Sequence, residues 1–422
     1  MNHRQSKRDI LCFDLKSFYA SVECAMRGLD PFKTPLVVAD PGRGGGSIIL
    51  AVSPFLKAQG IPGRLRVFEL PRVPHLIMAK PRMKEYLRVS SDIIAIYLRF
   101  VSAEDLHIYS VDEAFLDVTD YLTYYGCDAH TLAQRIKKTI LEETKIPATC
   151  GIGDNLLLSK LALDLESKTA ATGIAEWRVG DVPTKVWPIT PLSSFWGIGH
   201  RMEKRLNQLG LFSIGDIAKA DRKVLKRQFG ILGEELYFHA HGIDESRICE
   251  KHQDIRPMKS VGVGQTLFRD YHGSDVFVVL LEMADEVAER LRYVHQEARV
   301  IHFAVGYSKA YGGGFSRQLS LPFPTSDPEI ILMACLDLMA QHYLDLPIRR
   351  LSIRATQLSL YQPFEQMTLF DARHEKAKRH ALYTAIDRVK ARFGKQSVLR
   401  LSSYFDEGTA RLRSTLIGGH HG

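Results

Sequence analysis

The stretch that decides the fold is LHIYSVDEAFLDVT, residues 106–119. Apolar, β-branched and aromatic residues lie on both sides of Asp112 and Glu113, which predicts two strands joined by a tight turn. Adjacent residues of a regular strand point to opposite faces of a sheet, so these two acids can face one site only from a turn or a bulge. Asp117 lies further along the returning strand, and we interpret it as structural.

The segments around this hairpin predict the rest of its sheet. Residues 9–14, DILCFD, predict a short buried strand that ends in Asp14, and residues 147–153 predict another strand. Helices are predicted at about 16–26, 84–100, 129–143 and 155–168. Together these elements favour an α+β fold in which helices pack on one face of an antiparallel sheet.

The remainder of the chain divides by its pattern. Residues 31–83 predict a small α+β insert with strands at 36–40 and 47–52 and a helix at 53–60, and residues 190–245 predict only helices. The later α+β pattern predicts strands at 259–269, 299–307, 315–322 and 350–361 and helices at 275–294, 328–343 and 375–393.

The acidic residues form a candidate metal site. If the strand ending in Asp14 lies beside the hairpin, it meets Asp112 and Glu113 at one edge of the sheet. Like charges held together raise each other's pKa unless cations neutralise them. Mg²⁺ fits because it prefers oxygen ligands, and two ions about 4 Å apart can activate a hydroxyl and stabilise a departing pyrophosphate. On the pattern alone, solvent-facing turn acids without function remain the alternative.

The bulk composition sets limits. A chain of 422 residues is too long for one ordinary core and predicts two to four domains. The six cysteines are scattered without a C-x-x-C pair, which indicates a reducing compartment and disfavours a zinc site. No apolar run reaches 18 residues, so we expect no membrane span and a cytoplasmic protein. Lys and Arg exceed Asp and Glu by 8, which indicates a polyanion partner only if the charge is clustered.

Three motifs resemble a known family. DLKSFYASVE (14–23), YSVDEAFLD (109–117) and the pair GIG (151–153) with KLA (160–162) occur in the order and spacing of Y-family DNA polymerases. The chain is similar to the UmuC/UvrX-like branch of that family. The resemblance implies a template-directed, low-fidelity DNA polymerase that performs translesion synthesis in DNA-damage tolerance of the UV and SOS type, on primer-template DNA with deoxynucleoside triphosphates.

The resemblance also implies a right-hand architecture with an extra domain. We expect a palm (1–30 and 84–185), fingers (31–83), a helical thumb with a helix-hairpin-helix (186–245), a linker (246–258), an α+β little finger (259–362) and a C-terminal tail (363–422). Whether the basic tail contacts DNA or is simply solvated remains open at this point.

Family roles pass to matching residues. Asp14 and Asp112 are expected to bind two Mg²⁺ ions with the backbone carbonyl of Leu15, and Glu113 is expected at the primer-side metal. Tyr19, next to Phe18 in the nucleotide pocket, is expected to be the steric gate that excludes a ribose 2′-hydroxyl. Lys168 is expected to reach the triphosphate.

The chain departs from the family pattern beside this site. Lys16 stands where many relatives have an acid or Asn, so a third carboxylate there is lost. Ala51, Pro54 and Lys57 match finger positions at which several members offer Thr, Tyr and Arg, and only Lys57 keeps a cation for the triphosphate. Small residues at 51 and 54 leave room over the nascent base pair, which fits tolerance of damaged templates.

The predicted thumb carries clustered positive charge. Residues 195–199, FWGIG, and the later LGL (209–211) resemble a helix-hairpin-helix, in which Gly197 and Gly199 allow a tight turn that presents backbone N–H groups to phosphate. Residues 197–230 hold eight Lys and Arg against three acids, among them Arg201 and Lys204. This segment is therefore expected to grip the DNA backbone.

QMTLF, residues 366–370, resembles the peptide that bacterial polymerases insert into the sliding clamp. Gln366 would supply a hydrogen bond, and Leu369 and Phe370 would fill apolar pockets. A stray apolar turn is the alternative. Some relatives act with SOS accessory subunits or a recombinase filament at the nucleoid, and the sequence leaves open whether this chain does.

Two other functions remain as alternatives. A palm-fold nucleotidyl cyclase also pairs acids on such a sheet, but it needs neither a helix-hairpin-helix nor a clamp peptide. A catalytically silent DNA-binding accessory protein would need neither Asp14 nor Asp112 and Glu113.

Overall fold

The computed structural model of the protein describes residues 8–40, 42, 44–251, 258–362 and 373–421. The chain forms two compact units, one of Met1–Ile255 with His420–Gly422 and one of Arg256–Gly419. Both units combine helices and strands, as the sequence predicts. Within the described ranges, no helix is long and apolar enough to cross a bilayer.

The first unit mixes strands and helices up to residue 177 and continues with helices. Its elements are β1 (Ile10–Leu15), α1 (Phe18–Ala25), β2 (Leu36–Val38), β3 (Ala51–Val52), α2 (Pro54–Ala58), β4 (Ile77–Ala79), α3 (Met83–Tyr97), β5 (Leu106–Ile108), β6 (Glu113–Asp117), α4 (Tyr121–Tyr125), α5 (Ala129–Thr144), β7 (Ala148–Gly153), α6 (Leu156–Ala162), β8 (Ile174–Trp177), α7 (His200–Asn207), α8 (Ile214–Lys219), α9 (Arg222–Phe229), α10 (Ile231–Ala240) and α11 (Ile248–Lys251).

A five-stranded sheet in the order β5–β6–β1–β7–β8 is the centre of this unit. β1 pairs antiparallel with both β6 and β7, and Ile10 to Phe13 are fully buried there. The prediction of a wholly antiparallel sheet is wrong at one edge, because β8 runs parallel to β7. The sequence pattern does not reveal β8, since four residues between turns are too few to show an alternation.

Helix α6 lies against β7 at a distance that only glycine allows. A Cβ atom on Gly151 would stand 2.0 Å from the carbonyl oxygen of Ser159, and one on Gly153 would stand 2.3 Å from the amide nitrogen of Ser159. Both contacts are with helix backbone, which cannot move aside as the end of a flexible side chain can. The two glycines therefore set the height of α6 above the sheet.

The insert at residues 31–83 has a small sheet of its own, in the order β3–β2–β4. Val37, Val52 and Leu56 are fully buried in its core. The strand predicted at 47–52 is reduced to Ala51–Val52, and Ile48 makes only an isolated bridge to Arg66.

The helices α7–α10 share a core with the sheet. Phe195, Leu206 and Leu225 belong to one apolar cluster with Leu157 of α6 and Trp177 of β8. Burial of this common surface stabilises the helices and the sheet as one body, since the hydrophobic effect scales with the apolar area removed from water.

The residues after α10 return to the sheet. Leu157 donates its amide to Asp244 Oδ2 at 3.1 Å, and Asn155 Nδ2 donates to the Gly242 carbonyl at 2.8 Å. α11 then places Ile248 in a buried cluster with Phe115. The interpretation of 246–258 as a linker therefore needs correction at its start, where the chain is part of the first unit; residues 252–257 lie outside the described ranges.

The second unit contains β9 (Ser260–Tyr271), α12 (Val276–Tyr293), β10 (Gln296–Tyr307), β11 (Gly314–Thr325), α13 (Pro328–His342), β12 (Ile348–Leu360), α14 (Arg373–Phe393) and α15 (Ala410–Ser414). Its sheet has the order β11–β10–β12–β9 with antiparallel neighbours, and α12 and α13 contribute to one apolar core with it. The strands and helices predicted for 259–361 are confirmed to within three residues at each end.

The C-terminal segment is bound to α12 of the same unit. Arg292, a nearly buried residue, forms a bidentate pair with Asp387 of α14 at 2.6 and 3.0 Å. The buried Glu282 accepts hydrogen bonds from both the amide and the hydroxyl of Thr409 at 2.9 and 2.8 Å. The helix predicted at 375–393 is confirmed, and this part of the chain is not a freely solvated tail.

We expect Gly151→Ala to destabilise the first unit by about 1–3 kcal/mol, because the added methyl group forces α6 away from β7. Tryptophan fluorescence during urea unfolding measures this directly, since the three tryptophans of the chain all lie in the first unit. Gly180→Ala is the matched control, because its Cβ would have no neighbour within 4 Å. Equal midpoints for the two variants would contradict the packing argument.

Candidate active site

Three acidic residues lie at one end of the central sheet. Asp14 of β1 is the register partner of Glu113 of β6, and directly opposed residues of an antiparallel pair share a face. Asp112 precedes β6 in the turn, where its carbonyl accepts a hydrogen bond from the Leu15 amide at 3.0 Å. Ser110 holds this turn by donating its hydroxyl to Asp112 Oδ1 at 2.7 Å. The predicted meeting of β1 with the hairpin is confirmed.

Two lysines from α6 and the turn after it neutralise part of this charge. Lys160 Nζ lies 2.7 Å from Glu113 Oε1, and Lys168 Nζ lies 3.0 Å from Asp14 Oδ2. Both ammonium groups also contact Asp164, at 3.1 and 3.0 Å. Sequence reasoning assigned a role to Lys168, included Lys160 only as part of a motif and did not identify Asp164. Their signal was the spacing of four residues that puts 160, 164 and 168 on neighbouring helical turns.

The electrostatics of the acids reflects burial and crowding. Burial raises the pKa of the Asp14 carboxyl, Lys168 opposes this, and the charge of Asp112 adds to it. Burial likewise raises the pKa of Glu113 against the opposing hydrogen bond from Lys160. Burial alone would lower the pKa of Lys168, but Asp14 and Asp164 raise it, so this lysine stays charged. The site therefore holds negative charge that the two lysines compensate only in part.

The donor set fits Mg²⁺ in kind, since hard divalent ions take carboxylate oxygens. The described residues contain no group of three acidic, histidine or cysteine side chains close enough to hold an ion as they stand. The ammonium groups of Lys168 and Lys160 contact the carboxylates of Asp14 and Glu113, where a metal ion would otherwise bind. A metal at this site must therefore compete with both lysines.

Tyr19 lies near Asp112, and its ring packs against a second aromatic ring that restricts its position. Its ring stacks on that of Tyr86 at a centroid distance of 4.6 Å and an interplanar angle of 18°. The Tyr86 hydroxyl donates to the fully buried Glu23 at 2.7 Å, and Arg82 donates two hydrogen bonds to the same carboxylate. Burial raises the pKa of Tyr19, and so does the charge of Asp112, which places this phenol within electrostatic range of the turn.

The residue that precedes α1 has an unusual backbone conformation. Ser17 adopts a left-handed conformation with φ 50°, which is uncommon for a residue with a side chain. The turn is held by the Ser21 hydroxyl, which donates to the Lys16 carbonyl at 2.6 Å. Phe18, the neighbour of Tyr19, is buried at 3% exposure.

The insert at residues 31–83 comes within electrostatic range of the acids at Lys57 of α2. Ala51 lies in β3, and Pro54 is the first residue of α2. Lys57 follows one turn later in α2. Burial lowers the pKa of Lys57, and the charges of Asp14 and Asp112 oppose this, so its ammonium group interacts with the site.

The glycines of the predicted helix-hairpin-helix occupy a turn that leads into α7. Gly197 has φ 94°, a conformation that favours glycine, and Gly199 is the residue before the helix. Arg201 and Lys204 are exposed on α7. The predicted clamp peptide, Gln366 to Phe370, lies outside the described residues.

Known proteins of one family match this protein along almost its whole length. The model of the impB/mucB/samB family matches residues 13–164, that of the family's C-terminal domain matches 258–369, and that of its HHH motif matches 179–211. The chain is 41% identical to the putative UV-damage repair protein UvrX of Bacillus subtilis over 98% of both chains. It is 33% identical to DNA polymerase IV 2 of the same organism, again over 98% of both.

A solved structure shares the fold. A Y-family DNA polymerase chimera of Dbh and Dpo4 superposes with a TM-score of 0.65 at 21% identity, covering 83% of this chain and 99% of that one. The chain belongs to the impB/mucB/samB family, the Y-family of DNA polymerases. It is a DNA-directed DNA polymerase of the damage-tolerance type, with the predicted α+β polymerase fold.

The raised pKa of Asp14 predicts that its charge destabilises the metal-free protein. Stability declines as pH rises through the raised folded pKa, and the cost is absent below the ordinary Asp value of about 3.9. In EDTA at pH 8 we therefore expect Asp14→Asn to unfold at a higher urea concentration than the wild type, by tryptophan fluorescence. The difference should shrink as pH falls below the raised pKa.

Asp128→Asn is the control of opposite sign. A hydrogen bond from Thr131 lowers the pKa of Asp128, so removing that charge should cost stability at pH 8. An Asp14→Asn variant less stable than the wild type at pH 8 would rule out the electrostatic cost.

Proposed function

We propose that this polymerase performs translesion synthesis by two-metal phosphoryl transfer at Asp14, Asp112 and Glu113. The observation that carries the proposal is the register of β1 and β6, which opposes Asp14 and Glu113 with Asp112 in the adjoining turn. Crowded carboxylates of raised pKa are costly for the fold alone, and such sites are typical of function.

The expected roles follow from position. Asp14 and Asp112 would hold two Mg²⁺ ions with the carbonyl of Leu15, and Glu113 would complete the site on the primer side. When bound, such ions activate the primer 3′-hydroxyl and stabilise the leaving pyrophosphate. Lys168 and Lys57 bring positive charge to the same place, where they would bind and orient the triphosphate of the incoming nucleotide.

The remaining segments are proposed to bind the DNA backbone and to form a nucleotide pocket with room for a distorted base. Residues 1–30 with 84–185 would be the palm, 31–83 the fingers, 186–245 the thumb and 259–362 the little finger. Gly197, Gly199, Arg201 and Lys204 would contact the DNA backbone, which predicts binding that weakens with salt. Ala51 and Pro54 offer little bulk, which supports tolerance of a distorted template base.

The decisive experiment is extension of a primer on a template that contains an abasic site or a thymine dimer, with Mg²⁺ and deoxynucleotides. We expect bypass by the wild type. Asp112→Ala should reduce extension at least about 100-fold because a charge that holds metal is lost, while DNA binding by fluorescence anisotropy stays within about twofold. Asp120→Ala is the matched control, since the Asp120 side chain makes no capping hydrogen bond.

The outcomes separate the alternatives. A wild type that copies undamaged DNA but stops at every lesion would remove the translesion proposal. A wild type without any extension would favour the catalytically silent accessory, and cyclic product from a nucleoside triphosphate would favour the cyclase. Loss of DNA binding in Asp112→Ala would make that residue structural.

The same assay tests the partners. Residues 366–370 are proposed as a sliding-clamp peptide, so deleting them should spare distributive synthesis and remove stimulation by the clamp. Equal stimulation of the deletion variant would refute the tether. Stimulation of wild-type bypass by SOS accessory subunits or a recombinase filament would add these as partners.

Tyr19 is proposed as the steric gate, because stacking on Tyr86 fixes its ring beside the acids. Tyr19→Ala should lower discrimination against ribonucleotides at least about tenfold, since a lost van der Waals exclusion is worth about 1–3 kcal/mol. Single-nucleotide incorporation with matched ribo- and deoxynucleotides measures this. Tyr124→Ala, at an exposed tyrosine (82%), is the control, and an unchanged sugar preference for Tyr19→Ala would exclude the role.

A further inference from the structure

A row of five side chains with alternating charge runs along one side of the acids. It begins at Asp14, passes through Lys168, Asp164 and Lys160, and ends at Glu113, with successive contacts of 3.0, 3.0, 3.1 and 2.7 Å. Asp164 is the middle member and the one carboxylate of this row that contacts both lysines. Its own side chain is about one-third exposed (31%), whereas that of Lys160 is nearly buried (6%).

A change of helix type brings these residues into line. Residues 160, 164 and 168 are spaced by four, and in a regular α-helix the first and last would diverge by about 80° around the axis. Residues Leu163–Ser167 instead form a π-helical turn, which has more residues per turn and reduces the divergence. Because Gly151 and Gly153 fix α6 against β7, the three side chains are directed at the acids by backbone packing.

We propose that Asp164 is a positioning residue for nucleotide binding, which retains Lys160 and Lys168 beside the site when Asp14 and Glu113 give their oxygens to divalent ions. This inference rests on the proposed two-metal function. Once the carboxylates turn to metal, each lysine loses a partner and is repelled by the arriving positive charge. Asp164 is then the anion that keeps Lys168 within reach of the triphosphate.

The charge count makes the same point. With Asp164 included, four carboxyl groups lie near two ammonium groups, and the lysines compete with metal for Asp14 and Glu113 because they contact both. Asp164 offers both lysines a second partner and so lowers the cost of releasing them. Without it, the lysines would bind the acids more tightly before metal arrives and would be held less well afterwards.

The test is equilibrium binding of a correct deoxynucleoside triphosphate to polymerase on a primer that ends in a dideoxynucleotide, in Mg²⁺, so that no turnover is needed. Asp164→Asn keeps the shape and removes the charge, and we expect it to raise the Kd about tenfold, the size of a lost charge-assisted contact. Asp164→Glu keeps the charge and should restore most of the affinity.

Glu166→Gln is the matched control, because it removes a charge from the same π turn that is engaged elsewhere, with Trp177 and Lys185. We expect its Kd to stay within about twofold of the wild type. A double variant tests whether Asp164 acts through Lys168. If it does, adding Asp164→Asn to Lys168→Met should change the Kd for the nucleotide by less than about twofold.

The outcomes are distinguishable. If Asp164→Asn binds the nucleotide with the same Kd as Glu166→Gln, this inference is overturned and the proposed function is not. The same holds if Asp164→Asn raises the Kd of the Lys168→Met variant by the full tenfold. An Asp164→Glu variant as weak as Asp164→Asn points to shape and also overturns it. A wild-type complex that binds no correct nucleotide in Mg²⁺ overturns the proposed function and this inference with it.

Discussion

The close approach of α6 to β7 is the constraint on which the site depends. Gly151 and Gly153 let helix backbone lie where any side chain would collide with Ser159. That contact determines how far Lys160, Asp164 and Lys168 project over the sheet. The acids themselves are placed independently, by the pairing of β1 with β6. The site is thus the meeting of a strand pair that supplies negative charge with a helix that supplies positive charge.

This arrangement lowers the stability of the folded protein. Burial raises the pKa values of Asp14 and Glu113, so the ionised forms are unfavourable in the folded protein. Lys160 and Lys168 reduce this cost through their ion pairs with Glu113 and Asp14. A site neutralised completely would have little affinity for a divalent ion, and one without lysines would oppose folding more strongly. Partial compensation lies between these limits.

Tyr19, the proposed steric gate, is held in place by the residues packed behind it. Tyr19 is only partly buried, and an exposed ring would ordinarily choose among several rotamers. Tyr86 covers one face of that ring and is itself held by the buried Glu23 with Arg82. Burial alone would raise the pKa of Glu23, but hydrogen bonds from Arg82, Arg27 and Tyr86 lower it, so the carboxylate is ionised and binds these three partners strongly.

Much of this could be predicted from the sequence, because the informative signals are local. The hairpin around Asp112 follows from alternation and a turn, and the strand ending in Asp14 follows from a short apolar run. The convergence of the two, by contrast, was one alternative among others until the motifs were considered together. Long periodic elements such as α12 and β12 are predicted to within two residues at each end, because each shows several repeats of its period.

The parts that could not be predicted depend on distant contacts. β8 is too short to show a period, and α11 is a single turn whose role is visible only when Ile248 meets Phe115. Asp164 resembles an ordinary solvated acid until its two lysines are seen to contact Glu113 and Asp14.

The C-terminal segment shows the limit of reasoning from composition. Its excess of basic residues suggested either DNA contact or simple solvation, yet Arg292 and Glu282 of α12 bind it through nearly buried groups. Removing Asp387 would leave the guanidinium group of Arg292 buried without its ion-pair partner, and removing Thr409 would leave the carboxylate of Glu282 with fewer donors. Buried charges without compensation are strongly unfavourable. The match to the family's C-terminal domain ends at residue 369, whereas these contacts extend the second unit to Thr409 and beyond. Residues 376–414 therefore belong to the folded body of the second unit, where Arg379, Arg400 and Arg413 form ion pairs with acids of that unit.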